Sequence, residues 1–426
     1  MLDRTTPPPF HTTENIHLIP PKEFRLNNGI PFFCFENPQL ELIHFAIKIK
    51  AGALHEPQKR ISNFCYNLLK ESHPQKNGEA FEAHLDYYGT AFNIVTGINE
   101  ITVKIQFPKS NAKAIIPEIA KLFIIPKYRK ANLERYRAKS IKDWEYNTRK
   151  VDFRASQLMF HHFFGKDFVF GKILEKSDFE NIKLQQLADY HRCTCCAENI
   201  RMFLAGNTDD ALIQLITTHF SQIPHGQRIS SPQYNLASYQ PKRIQETWSE
   251  ALQTAFVLCQ PSLAFNEADI HRFSVLNTLF CNYFGSRLMQ NLRERNGYTY
   301  GISGSPLYFD GGAVFSIDCE VNNNNAEAAI QACFDEMQII KNETISEEEL
   351  EIVRNYLFGS ALRSIDGTVQ YMQNYINWND FGCNEKRFYD YFETVRSITA
   401  DEIQEMANRY LCEENFTVIA VGNFNA

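Results

Sequence analysis

Glu198–Asn207 reads ENIRMFLAGN, and Glu414–Asn423 reads ENFTVIAVGN, 216 residues further along. Each segment opens on Glu-Asn, runs through apolar residues of strand type, and closes on a Gly-Asn turn. Each also follows a helical stretch, LQQLADYH in one case and ADEIQEMANRYL in the other. A second echo lies upstream. SNAKAIIPEIAKLF (110–123) and NNAEAAIQACFDEM (324–337) both start a helix at Asn-Ala after two strand-like runs. Those runs are AFNIVTG with EITVKIQF, and YTYGISG with GAVFSIDCEV. One unit written twice predicts two homologous α+β half-domains of about 200 residues each, within the usual domain range. Each half is expected to be an antiparallel-dominated sheet packed with helices.

Between the repeats, PHGQRISSPQYNLASYQPKRIQE (224–246) is rich in Ser, Gln and Pro and has no period, so it reads as a linker. The halves are then residues 1–223 and 247–426. In ITVKIQF, Ile101, Val103 and Ile105 share one face, which suits a sheet with one side on helices and the other partly wet. FRLNNGIPFFCFEN predicts a hairpin around Asn27-Asn28-Gly29, with a third strand at LIHFAIKIKAG.

The bulk numbers close off several classes. With 44% hydrophobic and 22% charged residues, the 426-residue chain has a globular composition. A net charge of -7 and a pI near 6.0 give no basic footprint for nucleic acid. No apolar run is long enough to span a bilayer. The first 24 residues carry no apolar export core and include Asp3 and Glu14, so neither a signal nor a transit peptide is expected. An odd set of eleven scattered cysteines suits a reducing cytoplasm. Their one dense cluster, HRCTCC, contains His191, Cys193, Cys195 and Cys196. A metal or redox site is one reading, but no C-x-x-C pair follows, and loop thiols are the better one. His161 and His162 point about 100° apart on a helix, and His73 and His84 have no third ligand in sight.

NLRERNGYTYG, Asn291 to Gly301, admits two readings. Gly297 can simply stop a helix before a strand rich in tyrosine. Alternatively, Arg293 and Tyr300 aim two hydrogen-bond donors at one point. The longer segment FGSRLMQNLRERNGYTYGISG (284–304) resembles the SRLFxxLREKxGLAYxV signature of the insulinase family of zinc peptidases, which includes pitrilysin and mitochondrial processing peptidase. Ser286, Arg287, Leu288, Leu292, Arg293, Glu294, Gly297 and Tyr300 carry the match. In the first half, IKAGALHEPQKRISNFCYNLLKE (48–71) is similar to the family's strand, Ala-Gly, Asp-Glu-Pro turn and helix, through Ala51, Gly52, Glu56 and Pro57. The resemblance implies the insulinase-like, LuxS-like metallohydrolase fold in its smaller two-domain form.

Active members of that family carry H-x-x-E-H on the helix after the turn, two histidines for Zn²⁺ and a glutamate as base. Here those positions are Cys65, Leu68 and Leu69, and the motif occurs nowhere in the chain. The third ligand position falls near Asp143 and Glu145. No metal is therefore expected in this chain, and no zinc peptidase activity from it alone. The family's counterparts of Arg293 and Tyr300 hold the substrate backbone and stabilise the tetrahedral intermediate. The resemblance thus implies a non-catalytic subunit that lends these two residues to a zinc-bearing homologous partner acting on peptides. A heterodimer is the expected assembly, with a homodimer as its variant. The alternative is an inert structural, interaction or peptide-binding protein of the same fold.

Overall fold

The computed structural model describes residues 16–230, 232 and 239–424. The N-terminal stretch bearing Asp3 and Glu14 lies outside the described residues. In the first half the strands are β1 (Lys22–Arg25), β2 (Pro31–Glu36), β3 (Leu42–Ile49), β4 (Ala91–Thr96), β5 (Ile101–Pro108) and β6 (Ile200–Gly206). Its helices are α1 (Ile61–Asn67), α2 (Gly78–Tyr87), α3 (Ala112–Ile124), α4 (Lys130–Asn147), α5 (Val151–Phe164), α6 (Lys176–Glu180), α7 (Leu184–Thr194) and α8 (Asp210–Phe220). The second half holds β7 (Arg243–Thr247), β8 (Gln253–Pro261), β9 (Ile302–Phe309), β10 (Gly312–Asn322) and β11 (Thr417–Gly422). Around them lie α9 (Ile270–Cys281), α10 (Ala326–Asn342), α11 (Glu347–Ser364), α12 (Thr368–Asn379), α13 (Lys386–Ser397) and α14 (Ala400–Tyr410).

The first sheet runs β1-β2-β6-β3-β5-β4 and the second β7-β11-β8-β10-β9. Apart from β1 the two orders are the same, and in each the only parallel pair joins the first repeated strand to the last, β2 with β6 and β7 with β11. This is the α+β pair of homologous halves that the repeated segments predict. ENIRMFLAGN and ENFTVIAVGN become β6 and β11, the central strands that tie each sheet together. The Asn-Ala helices become α3 and α10, each entered through a 3₁₀ turn. Asn27-Asn28-Gly29 turns β1 back onto β2, with Gly29 at φ +83°.

Two details depart from the reading of the sequence. Residues 243–246 are not linker, because β7 pairs with β11 from Arg243 onward and its backbone groups are satisfied in the sheet. The second face of the first sheet is partly wet at its β4–β5 edge, where Lys104 and Gln106 are exposed as the alternation predicts, but its central strands are covered. Along β3 and β6 the strand period sends Ile43, Phe45, Ile47, Met202 and Leu204 to a core shared with their own half's helices. The alternate residues Ala46, Phe203 and Ala205 face a second core built with Tyr371, Tyr375, Ile376 and Trp378 of the other half. The arrangement is reciprocal, with α5 crossing β8 and β11 and burying Leu158, Met159 and Phe163 against Val257, Ile419 and Val421. Each half therefore supplies the helix that covers the other half's sheet.

Charges reinforce this exchange. Lys48 on β3 and Arg201 on β6 meet Glu100 and, from the end of α12, Asp380, with four N···O distances between 2.6 and 3.3 Å. The turns preceding β5 and β10 also touch, where Asn99 accepts from the Asp310 amide at 2.8 Å.

Candidate functional site

The segment after β3 shows how the family-like Ala-Gly and Glu-Pro residues shape the chain. A Cβ on Gly52 would lie 2.2 Å from the Ile98 carbonyl oxygen, so only glycine lets this strand end pass the β4–β5 turn. Ser62 and Tyr190 both donate to the Ala51 carbonyl. Glu56 is buried and accepts the Arg60 and Ser62 amides, satisfying donors at the start of α1. Burial raises its carboxyl to about 7, against the pull of those two amides. Arg60, at φ +71°, is the one non-glycine residue with positive φ among the described residues.

Where a zinc motif would lie, α1 ends. It stops at Asn67, Leu68 caps it, and Leu69 begins a 3₁₀ turn. Cys65 and Leu69 are fully buried and Leu68 is 2% exposed, all three within the first half's core. The Cys65 thiol sits 3.1 Å from the Tyr128 hydroxyl, and burial pushes it up to about 12 despite that hydrogen bond. Tyr66 donates to Thr194, which in turn donates to the Tyr190 carbonyl. Asp143 and Glu145 lie on the exposed side of α4, Glu145 3.6 Å from Lys176. A zinc site needs deprotonated donors converging on one point. Two leucines and a protonated buried thiol do not meet that need, and the residues present do not fit the metal.

The second motif behaves differently. Met289–Arg295 is a π-helical turn, in which the Asn296 amide donates to the Asn291 carbonyl five residues back. Leu288, Met289 and Leu292 anchor it in the second half's core. Arg287 grips Glu349 through two bonds of 2.8 Å, and Asn291 donates to Glu336. Gly297 takes φ +61° and releases the chain toward β9. Tyr298 packs partly on the core, while Arg295 is exposed.

Arg293 projects from this anchored turn. Its guanidinium lies 4.5 Å above the Phe284 ring, and its Nε is 3.5 Å from Glu294. Tyr300 is 93% exposed and lines a cavity of about 400 Å³ that also contains Asp152, Asp318 and Glu320. Arg293 and Tyr300 share no hydrogen bond; beyond the Nε–Glu294 ion pair, the Arg293 guanidinium makes no bond among the described residues. Sequence reasoning did not foresee the π geometry or the Phe284 contact, because both depend on how the turn is braced by α10 and α11.

The histidine and cysteine candidates disperse. Burial lowers His191 to about 4, and its neighbours are the Tyr66 and Tyr128 rings. Cys195 points at the Phe123 carbonyl, Cys196 takes a hydrogen bond from Asn199, and Cys193 is exposed. His161 is hydrogen-bonded to the Gly171 carbonyl and His162 to Thr417, while His73 stacks on Phe81 and His84 meets Tyr88 edge to face. Among the described residues no three His, Cys, Asp or Glu side chains could hold a metal ion. Nor is any helix among them long and apolar enough to cross a membrane.

Two sheets of one topology, a closed and ligand-free first motif, and an open Arg/Tyr segment define a peptidase-like fold without its metal half. Comparison with known proteins agrees. Residues 181–357 match the family profile described as "Peptidase M16 inactive domain". The chain is 22% identical over 400 residues to an uncharacterized zinc protease of Rickettsia bellii, covering 90% of this chain and 93% of that one. It is 20% identical to the mitochondrial-processing peptidase subunit beta of Lentinula edodes, covering 94% and 89%. A crystal structure described as a peptidase M16 inactive domain from Pseudomonas fluorescens superposes with a TM-score of 0.87 at 16% identity, over 95% of this chain and 98% of that chain. Over residues 181–357 the chain is thus similar to the M16 peptidase family, and H-x-x-E-H occurs nowhere in it.

Proposed function

We propose that this chain is the non-catalytic, substrate-clamping subunit of a two-chain zinc peptidase acting on peptides. The observation that carries the reading is the contrast between its two motifs. The pocket at Cys65, Leu68 and Leu69 is filled by core side chains, while Arg293 and Tyr300 stand on a braced turn, the guanidinium paired only through Nε with Glu294. A carbonyl under attack develops negative charge on oxygen, and a fixed guanidinium and phenol are suited to receive it. The zinc and the base then come from a homologous partner bearing H-x-x-E-H, in a 1:1 heterodimer, or in a self-associated form where the same surfaces pair. The relationship to a named subunit of mitochondrial-processing peptidase supports a divided site. Eleven cysteines, none of them in a disulfide, support a reducing, cytoplasmic setting.

The test is reconstitution. The purified chain cleaves no peptide, and mixing with a zinc-bearing homologue yields activity. Arg293→Ala and Tyr300→Phe each lower kcat of the pair by about 10²-fold or more, the usual cost of an oxyanion donor. Arg295→Ala and Tyr298→Phe leave it near the parental value, and every variant co-elutes with the partner. Activity indifferent to all four substitutions would reject the clamp in favour of an inert interaction protein.

A further inference from the structure

Arg293 makes no hydrogen bond within the described residues, yet its guanidinium has a defined place. Two other arginines fixed at the sheets and at this turn are held by carboxylates, whereas Arg129 is held by backbone carbonyls and Arg387, like Arg293, lies over a ring. Arg287 is locked on Glu349, and Arg201 on Glu100 and Asp380. A carboxylate fixes a guanidinium but occupies its N–H fork and neutralises its charge. Arg293 rests instead on a ring face, with the nearest carboxylate 3.5 Å from Nε alone. An aromatic face attracts the cation through its quadrupole and leaves all five N–H donors free.

Phe284 has no evident packing duty that would explain it otherwise. It is 64% exposed and belongs to none of the hydrophobic cores. Its backbone is nonetheless fixed. The Ser286 amide closes a turn on the Tyr283 carbonyl at 3.0 Å, and Ser286 is fully buried. Tyr283 packs against Tyr356 of α11 with the rings tilted and 5.0 Å apart, and it covers Gly285 so closely that an added Cβ would come within 2.7 Å. The turn thus holds a phenyl ring at the surface, under an arginine whose guanidinium is paired only through Nε with Glu294.

We propose that Phe284 is a positioning residue for Arg293, holding its guanidinium plane by a cation–π contact so that the terminal N–H groups remain available to a peptide carbonyl. This rests on the clamp reading above and deepens it. The contact is used only through Arg293, so its effect belongs in kcat and disappears when the arginine is removed.

The test is a double-mutant cycle in the reconstituted pair, assayed on an internally quenched peptide. Phe284→Leu lowers kcat about fivefold, the size of one exposed cation–π contact, with KM and melting temperature close to parental. Phe284→Trp restores the parental rate, because an indole offers a stronger face. In the Arg293→Ala background Phe284→Leu changes nothing further. Equal losses in both backgrounds, no loss with leucine, or no rescue by tryptophan would overturn the proposal while leaving the clamp intact. A parental kcat for Arg293→Ala would overturn the clamp itself and this proposal with it. A second readout needs no partner. In the isolated chain the Arg293 Nε–H signal is shifted by the ring current in the parent and the tryptophan variant, and moves to the free-arginine position in Phe284→Leu. An unchanged signal in the leucine variant would equally overturn it.

Discussion

Between β3 and β4 the first half places α1 and α2; between β8 and β9 the second half places α9 and the π-helical turn. These are the same positions of one repeated topology, and they have diverged in opposite directions. The first half has drawn its motif inward, ending α1 early and burying Cys65, Leu68 and Leu69. The second half has kept a long α9 and turned its motif outward, bracing a π turn so that Arg293 and Tyr300 face solvent. Both turns end on a glycine in the left-handed region, Gly89 at φ +59° and Gly297 at φ +61°. The lesson is that the sheet signature specifies the framework twice, while the connections decide what each copy can do.

The strongest way to break this comparison is to write the metal motif back. Cys65→His, Leu68→Glu and Leu69→His together place polar groups where three core side chains now pack, at an expected cost of about 5 kcal/mol or more. The variant should melt far below the parent or fail to accumulate, and metal analysis should find less than one zinc per chain. A stable variant with stoichiometric zinc would show that the pocket is only missing its ligands.

Next in size is the bond between halves. Asp380→Asn removes one carboxylate from the cluster that holds Lys48 and Arg201, and breaking a buried pair of this kind costs roughly 3 kcal/mol. Thermal unfolding should move down accordingly, and an unshifted melting curve would show that the reciprocal helices alone hold the halves.

Glu56 gives a smaller, pH-dependent effect. Its folded carboxyl stands near 7, above the ordinary value of 4.5, so the protonated form is the one the fold favours. Its contribution is fully present below about pH 4.5 and is lost as pH rises through 7, by roughly 3 kcal/mol at most. Glu56→Gln removes the titration and keeps an oxygen for one of the two amides; losing the other is a pH-independent cost that does not alter the slope. Its stability relative to the parent should rise between pH 5 and pH 8. His191, lowered to about 4 by burial, acts in the opposite sense, stabilising above pH 6.5 and losing that contribution toward pH 4. The variant-minus-parent difference isolates the glutamate from it.

The smallest effect sharpens the comparison. Gly89→Ala and Gly297→Ala each add a Cβ with no atom closer than 3.7 Å, so both carry only the strain of a left-handed residue, about 1 kcal/mol. Their melting temperatures should fall alike. Only Gly297→Ala should also lower kcat of the reconstituted pair, because only that turn carries the proposed clamp. Equal activity losses would place both turns in the site.

Much of this was legible beforehand. The paired ENIRMFLAGN and ENFTVIAVGN segments gave the repeat, since a strand needs only apolar side chains of period two and a turn. The loss of H-x-x-E-H was visible letter by letter. Less visible were the covered faces of the sheets. Ala46, Phe203 and Ala205 alternate as a two-sided buried strand does, but nothing local says that the covering helix comes from residues 368–379.

The sequence by itself determined the doubled α+β unit, the absence of the metal motif, and the presence of Arg293 and Tyr300 in a family-like segment. Those are local properties of residue type and spacing. The tertiary structure alone decided that the two halves exchange helices, that the vacated motif is sealed, and that Arg293 lies on Phe284. Each of these depends on contacts between distant segments, where packing and charge neutralisation select one arrangement among many that the local pattern allows.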